Sequence, residues 1–259
     1  MILDRITFTG ADGNMSADEL YKLSERFKKS EWGILYYPEK MFESRYPYGW
    51  WVNNFLVNKP EDCHVSIHFC GDITRGLYES KPESSHPLWE FLNKYHDKID
   101  RVQMNFPKST LALRDVGEMF SGKFVENIGF MSEQWDIQTI LQANEGTEVL
   151  VAVIKQYDIP GVCFLQDASR GSGISGDVTL PPVRGYPTGY AGGFNPENVI
   201  GKLTTLCFIT LPEHGHTWID MESGVRSCDK RSNGTEVSNF DIYKVTSVLE
   251  QVSGIKWTH

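Results

Sequence analysis

Apolar and polar positions along the chain repeat with two different periods. Short apolar stretches predict strands, and longer stretches with an apolar residue every three to four positions predict amphipathic helices. The predicted strands are Arg5–Thr9, Gly33–Tyr37, His64–Cys70, Arg101–Phe106, Thr139–Asn144, Val162–Asp167, Gly189–Ala191 and Thr217–Glu222. The clearest predicted helices are Ser16–Lys29, Pro87–His96, Thr147–Tyr157, Pro196–Leu206 and Asp241–Val252.

Strands that alternate with helices predict βαβ units and a parallel sheet. Eight such units in 259 residues predict an α/β protein made of a single (β/α)₈ TIM barrel, with residues 1–259 as one domain. An open, doubly wound sheet is the alternative. Local signals agree with the helices, because Ser16 and Glu19 form a capping-box pattern and Asn195 with Pro196 is typical of a helix start.

The aromatic segment Tyr36–Phe55 is long for a connection between a strand and a helix. Two interpretations remain open for it. It is either a lid over the mouth of the barrel or the rim of a dimer interface, so the chain is expected to be a monomer or a homodimer.

Alternation within the predicted strands indicates which side chains face the lumen of the barrel. Successive strand residues point to opposite sides, and the apolar set is expected to face the helices. The inward set then contains carboxylates, amides, a thiol and a histidine near the carboxyl ends of the strands, where such barrels build their sites. Its members are His68, Cys70, Gln103, Asn105, Cys163, Asp167, Asp220 and Glu222.

Composition narrows the possible partners. The formal net charge of −9 disfavours nucleic acid, and no apolar run is long enough for a membrane span. Five cysteines without a CxxC pair are expected to be reduced thiols, and a cytoplasmic location is expected. No cofactor is predicted. A metal site on His64, His68 and Cys70 is rejected, because the two histidines would lie about 13 Å apart along one strand and could not share one ion.

Two glycine-containing segments predict an anion site at the last two strands. Gly192 and Gly193 allow backbone amides to approach a ligand closely before a predicted helix, and Ser223 and Gly224 follow the last strand. Tight turns alone would explain either segment separately. Together they predict a cup for one phosphate group, and hence a small phosphorylated metabolite as the ligand.

Four short motifs resemble the phosphoribosylanthranilate isomerase family. Tyr190-Ala-Gly-Gly-Phe-Asn-Pro-Glu-Asn-Val199 and Asp220-Met-Glu-Ser-Gly-Val225 are similar to the two phosphate-binding segments of the family. Gln166-Asp-Ala-Ser-Arg-Gly-Ser-Gly173 resembles its strand-six aspartate and the loop after it, and Tyr37-Pro38 with Ser44-Arg-Tyr46 resembles its strand-two exit.

The resemblance implies a barrel that catalyses an Amadori rearrangement. It implies Asp167 as the general acid that opens the ribose ring, Arg45 as the group that binds a substrate carboxylate, and Gly173 as part of a substrate-binding loop. The general base of the family is a cysteine at the end of strand one, where this chain has Thr9. Thr9 does not ionise near neutral pH, so a different base and a different substrate are expected.

Several roles stay open from the residues alone. Cys70 and Glu222 are competing candidates for the missing base, and each has a structural alternative, as a buried thiol or as a partner of Arg45 or Arg226. Thr9, His68 and Asn105 are candidate substrate-binding residues. We therefore expect a phosphosugar isomerase-like enzyme or related lyase, and the alternative is a non-catalytic phosphometabolite-binding protein derived from the same scaffold.

Overall fold

A closed barrel of eight parallel strands forms the centre of the molecule. The computed structural model describes residues 2–41, 43–111, 116–143, 147–167, 180–210, 216–230 and 236–255. The strands pair in sequence order and β8 pairs with β1, which closes the barrel as predicted. Their bounds are β1 Ile2–Thr9, β2 Ser30–Tyr36, β3 His64–Cys70, β4 Arg101–Asn105, β5 Gln138–Gln142, β6 Val162–Asp167, β7 Thr188–Ala191 and β8 His216–Met221.

Helices surround the barrel between successive strands. The main ones bury an apolar face against the outer side of the strands. Among the described residues, the helices are α1 Ala17–Arg26, α2 Gly49–Asn58, α3 Gly76–Glu79, α4 Pro87–Tyr95, α5 Lys108–Leu111, α6 Val116–Met119, α7 Lys123–Trp135, α8 Glu148–Tyr157, α9 Val199–Ile209 and α10 Ile242–Ser253. No helix in these ranges has both the length and the apolar character of a membrane span.

The predicted alternation of strand faces is confirmed by packing. Val65, Ile67 and Phe69 of β3 belong to the large core between strands and helices. Inside the barrel a smaller apolar layer joins Ile140, Cys163, Leu165 and Trp218 from three strands. That layer fills the middle of the lumen and leaves the polar residues above it at the carboxyl ends of the strands.

The long aromatic segment contains a helix that the sequence prediction missed. Its second half is α2, which buries Trp51, Val52, Phe55 and Leu56 against the barrel. The true connection after β2 is therefore shorter than expected, and it carries Arg45 and Tyr46 to the mouth.

Two predicted helix starts differ in detail from the structure. Ser16 lies at the N-cap of α1, but its side chain makes no capping hydrogen bond. The helix predicted from Pro196 begins at Val199, and a turn precedes it in which Asn195 Oδ1 accepts the amides of Glu197 and Asn198 at 3.0 Å each. Asn195 therefore orders this turn as a helix cap would, four residues before the helix begins.

A β-hairpin follows the barrel and was not predicted. It consists of β9 Arg226–Lys230 and β10 Glu236–Phe240, which pair antiparallel. Arg226 is buried at its base and donates to the Gly10 carbonyl at 2.6 Å, to Asp12 Oδ2 at 3.1 Å and to the hydroxyl of Ser44 at 3.0 Å. One guanidinium thus joins the loops after β1 and β2 to the hairpin.

Candidate functional site

A cavity of about 310 Å³ opens at the carboxyl ends of the strands. Residues from all eight strands or the loops that follow them line it. The polar and glycine lining residues are Thr9, Arg45, Tyr46, His68, Cys70, Gln103, Asn105, Gln142, Asp167, Gly192, Gly193, Asp220, Glu222, Ser223 and Gly224. The predicted site residues within the described ranges therefore share one cavity, whereas Gly173 lies outside the described residues.

One wall of the cavity is the turn after β7. Gly192 and Gly193 have φ angles of 114° and 64°, which side chains disfavour, so glycine is needed at both positions. The Gly192 carbonyl accepts from Lys202 Nζ at 2.6 Å, and the Gly193 carbonyl accepts from Asn198 Nδ2 at 2.8 Å.

These two bonds set the direction of the next two amides. In a trans peptide the carbonyl and the following N–H point opposite ways. Lys202 and Asn198 do not line the cavity, whereas Gly193 and Phe194 do. The N–H groups of Gly193 and Phe194 therefore point away from Lys202 and Asn198.

The second wall is the 3₁₀ turn Ser223–Val225 after β8, and it touches the first wall. A Cβ atom at Gly224 would lie 1.8 Å from the carbonyl oxygen of Phe194, so only glycine permits this approach. The two predicted halves of the cup are consequently in direct contact.

Three carboxylates lie beside these two walls, on β6, on β8 and directly after β8. Asp167 pairs in register with Ala191, and Ala191 pairs with Asp220, so the two aspartates lie at the same level with one strand between them. Adjacent strands are about 4.8 Å apart, which places their Cα atoms roughly 10 Å from each other. Both side chains are buried and both line the cavity.

The ionisation of Asp220 is strongly perturbed. Burial raises the pKa of its carboxyl from 3.8 to about 7, and the negative charges of Glu222, Glu31 and Asp167 add to this effect. A hydrogen bond from Thr9 Oγ1 to Asp220 Oδ1, 2.7 Å long, opposes it. Thr9 stands where the phosphoribosylanthranilate isomerase family has its catalytic cysteine. In this structure its hydroxyl instead donates a hydrogen bond to the carboxylate of Asp220.

Glu222 and Arg45 form an ion pair at the rim. Arg45 Nη1 donates to Glu222 Oε1, and both side chains are about one-third exposed. Burial raises the pKa of the Glu222 carboxyl, and the charges of Arg45 and Arg226 partly offset the rise. The structure therefore places Glu222 as a partner of Arg45, one of the two alternatives that the sequence left open.

The floor of the cavity is polar but uncharged. Asn105 Nδ2 donates to Cys70 Sγ at 3.4 Å, and Gln103 Nε2 donates to Asn105 Oδ1 at 2.9 Å. Burial raises the pKa of the Cys70 thiol to about 11. Burial, together with the nearby charge of Arg101, lowers the pKa of His68 to about 3, so this imidazole is neutral.

Three residues with a clear place in the site were not selected from the sequence. Asp220 was recognised as inward-facing but was not chosen, although its alternation with Glu222 was visible. Asn198 stood in the motif from Tyr190 to Val199 but was given no role, and Lys202 gave no signal beyond its position nine to ten residues after the glycines, because both roles depend on how the turn folds back on α9.

Fold and site together define a (β/α)₈ barrel with a polar, carboxylate-rich cavity at the carboxyl ends of its strands. Solved structures of phosphoribosyl anthranilate isomerase share this fold. The enzyme from Thermus thermophilus is 15% identical, with a TM-score of 0.53 over 97% of this chain and 100% of the other. The enzyme from Thermotoga maritima is 14% identical, with a TM-score of 0.52 over 98% of this chain and 100% of the other.

A third structure of phosphoribosyl anthranilate isomerase was solved in complex with reduced 1-(o-carboxyphenylamino)-1-deoxyribulose 5-phosphate. It is 14% identical, with a TM-score of 0.54 and coverage of 98% of this chain and 100% of the other. A scan against protein-family models gives no match, and neither does a sequence comparison with curated proteins. The resemblance found in the motifs is thus confirmed at the level of the fold.

Proposed function

We propose that this chain is a phosphosugar isomerase-like enzyme that uses acid–base catalysis on a small phosphorylated ligand and needs no cofactor. One observation carries the proposal. A single cavity combines an amide wall, formed by the turns at Gly192 and Gly193 and at Ser223 and Gly224, with three carboxylates beside it, Asp167, Asp220 and Glu222. The substrate is expected to differ from that of phosphoribosylanthranilate isomerase, because Thr9 occupies the position of the family's base.

The amide wall is suited to the phosphate. The N–H groups of Gly193 and Phe194, with the turn at Ser223 and Gly224, would surround the phosphate oxygens. Such oriented amides form anion-binding concavities, and one helix terminus contributes about 0.3–2 kcal/mol to an anion. Lys202 binds the Gly192 carbonyl from behind, and its positive charge would stabilise a phosphate dianion on the amide wall.

Asp220 is suited to carry the proton that the missing cysteine would have carried. A general acid or base works best when its pKa lies near the working pH, and a pKa of about 7 meets this condition. With a pKa of about 11, Cys70 would be a thiolate in about one molecule in ten thousand at neutral pH. The structure therefore favours Asp220 over Cys70 as the base, and Glu222 is already engaged by Arg45.

The proposed reaction balances with two carboxyl groups. Asp167 donates a proton to the ring oxygen of the sugar while the bond from C1 to that oxygen breaks, and the lone pair of the heteroatom on C1 forms a double bond to C1. Ionised Asp220 then removes the proton from C2, the electron pair forms a C1–C2 double bond, and the pair of the C1–heteroatom double bond returns to the heteroatom. The enol so formed gains a proton at C1 from Asp220 and loses the proton of its C2 hydroxyl to Asp167, which gives the ketone and restores both carboxyl groups.

A non-catalytic phosphometabolite-binding protein is the second candidate. It is favoured by Thr9 in the position of the family's base, together with the un-ionised thiol of Cys70. The two candidates differ in one property, since only an enzyme exchanges the C2 hydrogen of its ligand with solvent.

The test begins with mass spectrometry of small molecules retained by the purified protein. The compound found is then incubated in D₂O with wild type, Asp167→Asn and Asp220→Asn, and deuterium at C2 is followed by NMR. We expect exchange by wild type, loss of at least about a hundredfold in both variants, and unchanged affinity for inorganic phosphate. Wild type without exchange would support the binding protein, and wild type that does not bind phosphate would refute both candidates.

A direct assay with phosphoribosylanthranilate gives a further check. We expect weak or no turnover, because no cysteine replaces the family's base at Thr9. Turnover at the level of an authentic isomerase would show that Asp220 and Thr9 suffice for the family's own reaction.

A further inference from the structure

The loop that carries Arg45 is built to present this guanidinium at the mouth. Arg45 has a backbone φ of 75°, a conformation that residues other than glycine rarely adopt. The neighbouring Ser44 is held by Arg226 at 3.0 Å, and Arg226 is itself buried against Asp12 and the hairpin. The backbone position of Arg45 is therefore imposed by its surroundings.

The guanidinium so presented is already occupied. Glu222 lies directly after β8, and its carboxylate accepts from Arg45 Nη1 inside the same cavity. Gly10 packs between this ion pair and Arg226. A Cβ atom at Gly10 would lie 3.3 Å from Arg226 Nη1 and 3.5 Å from Glu222 Cγ. The ion pair is thus packed from the side as well as hydrogen-bonded.

The charges of the cavity make this pair important for the ligand. Among the described lining residues, Arg45 is the one lysine or arginine, and it faces three carboxylates, those of Asp167, Asp220 and Glu222. His68 on the floor is neutral. A second negative group on a phosphorylated ligand would therefore meet carboxyl groups and, among the described lining residues, no arginine or lysine other than the one already paired with Glu222.

We propose that Glu222 is a specificity-determining residue that occupies the place of a ligand carboxylate, so that the natural ligand carries no negative charge apart from its phosphate. This proposal rests on the proposed function, because it assumes that the phosphate lies on the amide wall. The substrate class is then a phosphosugar whose substituent at C1 is neutral or positively charged.

Two phosphosugars that differ in one group provide the test. The first is reduced 1-(o-carboxyphenylamino)-1-deoxyribulose 5-phosphate, and the second is the same compound without the carboxylate. Dissociation constants for both, and for inorganic phosphate, are measured by calorimetry with wild type, Glu222→Gln and Glu222→Ser. Glu43→Gln is the matched control, because Glu43 lies in the same loop as Arg45, is paired with Lys40 at 3.9 Å, and does not line the cavity.

We expect wild type and Glu43→Gln to bind the compound without the carboxylate at least about tenfold more tightly than the other. Both Glu222 variants should reverse this preference by freeing Arg45 for the ligand, and phosphate affinity should stay the same in all four proteins. Glu222→Ser is included because the amide oxygen of Glu222→Gln can still accept a hydrogen bond from Arg45, whereas the shorter serine cannot reach it.

Two results would overturn the proposal. Wild type that binds the carboxylated compound equally well or better would show that Glu222 gives up Arg45 to the ligand. An unchanged preference in both Glu222 variants would show that Glu222 does not set it. In either case phosphate binding would leave the proposed function standing, whereas loss of phosphate binding in wild type would refute the proposed function as well.

Discussion

Asp220→Asn should make the stability of the protein less dependent on pH. The asparagine keeps the size of the side chain and an oxygen that accepts from the Thr9 hydroxyl, now 2.7 Å from Asp220 Oδ1, but it cannot ionise. The pKa of Asp220 is raised from 3.8 to about 7 in the folded protein. This difference corresponds to about 4 kcal/mol of penalty on the ionised form.

The sign follows from proton linkage. Between its unfolded and folded pKa values the folded state binds one more proton than the unfolded state, so this stabilising contribution is lost as the pH rises through that window. The wild-type unfolding equilibrium should therefore shift toward the unfolded state by roughly a factor of ten per pH unit relative to Asp220→Asn, from about pH 4 to about pH 7. Above about pH 7 the difference in free energy of unfolding between the two proteins should become constant, with Asp220→Asn the more stable.

Urea denaturation of both proteins at several pH values from about 4.5 to 8 measures this difference directly. Comparing the two proteins removes the contribution of groups that titrate alike in both. Asp12→Asn serves as the control for loss of a buried carboxylate, because Asp12 is paired with Arg226 and lies outside the cavity of Asp220. A free-energy difference between wild type and Asp220→Asn that is independent of pH would refute a raised pKa at this position.

Three further substitutions test the walls of the cavity. Lys202→Met should weaken binding of inorganic phosphate about tenfold by calorimetry, since it removes a charge and the bond that orients Gly193; equal affinity would argue against that orientation. Gly224→Ala should abolish phosphate binding and lower the melting temperature, because its Cβ would overlap the Phe194 carbonyl; a variant that binds normally would contradict the close contact. Arg226→Met should destabilise the protein by about 3–5 kcal/mol in urea, since it leaves Asp12 buried and unpaired, and a smaller loss would mean that water reaches Asp12.

The sequence predicted the barrel because its signals are local. The alternation in His64–Cys70 and Val162–Asp167 identified both faces of these strands, and their bounds match the structure. Helix α2 was missed because its aromatic and aliphatic residues obscure a polar face, and the hairpin was missed because Arg226–Lys230 has no apolar alternation.

The ionisation of the site was beyond local signals. Glu222 was a candidate base in the sequence, and its ion pair with Arg45 depends on a loop that lies far away in the chain. Asp220 was placed on the correct face, but its raised pKa depends on burial and on the charges of Glu222, of Glu31 on β2 and of Asp167 on β6. The ion pair and the raised pKa exist only in the closed barrel, so the spacing of residues in the sequence does not predict them.

Closure of the barrel also determines the order in which parts of the chain fold. Strand β1 pairs with β8, and the bond from Arg226 to the Gly10 carbonyl joins residues 216 positions apart. Contacts of such long sequence separation form late and slow the folding of a chain. A ribosome-bound chain that lacks β8 and the hairpin has an incomplete cavity. A metabolite can therefore stabilise the folded protein by binding to it, but it cannot promote folding of the nascent chain.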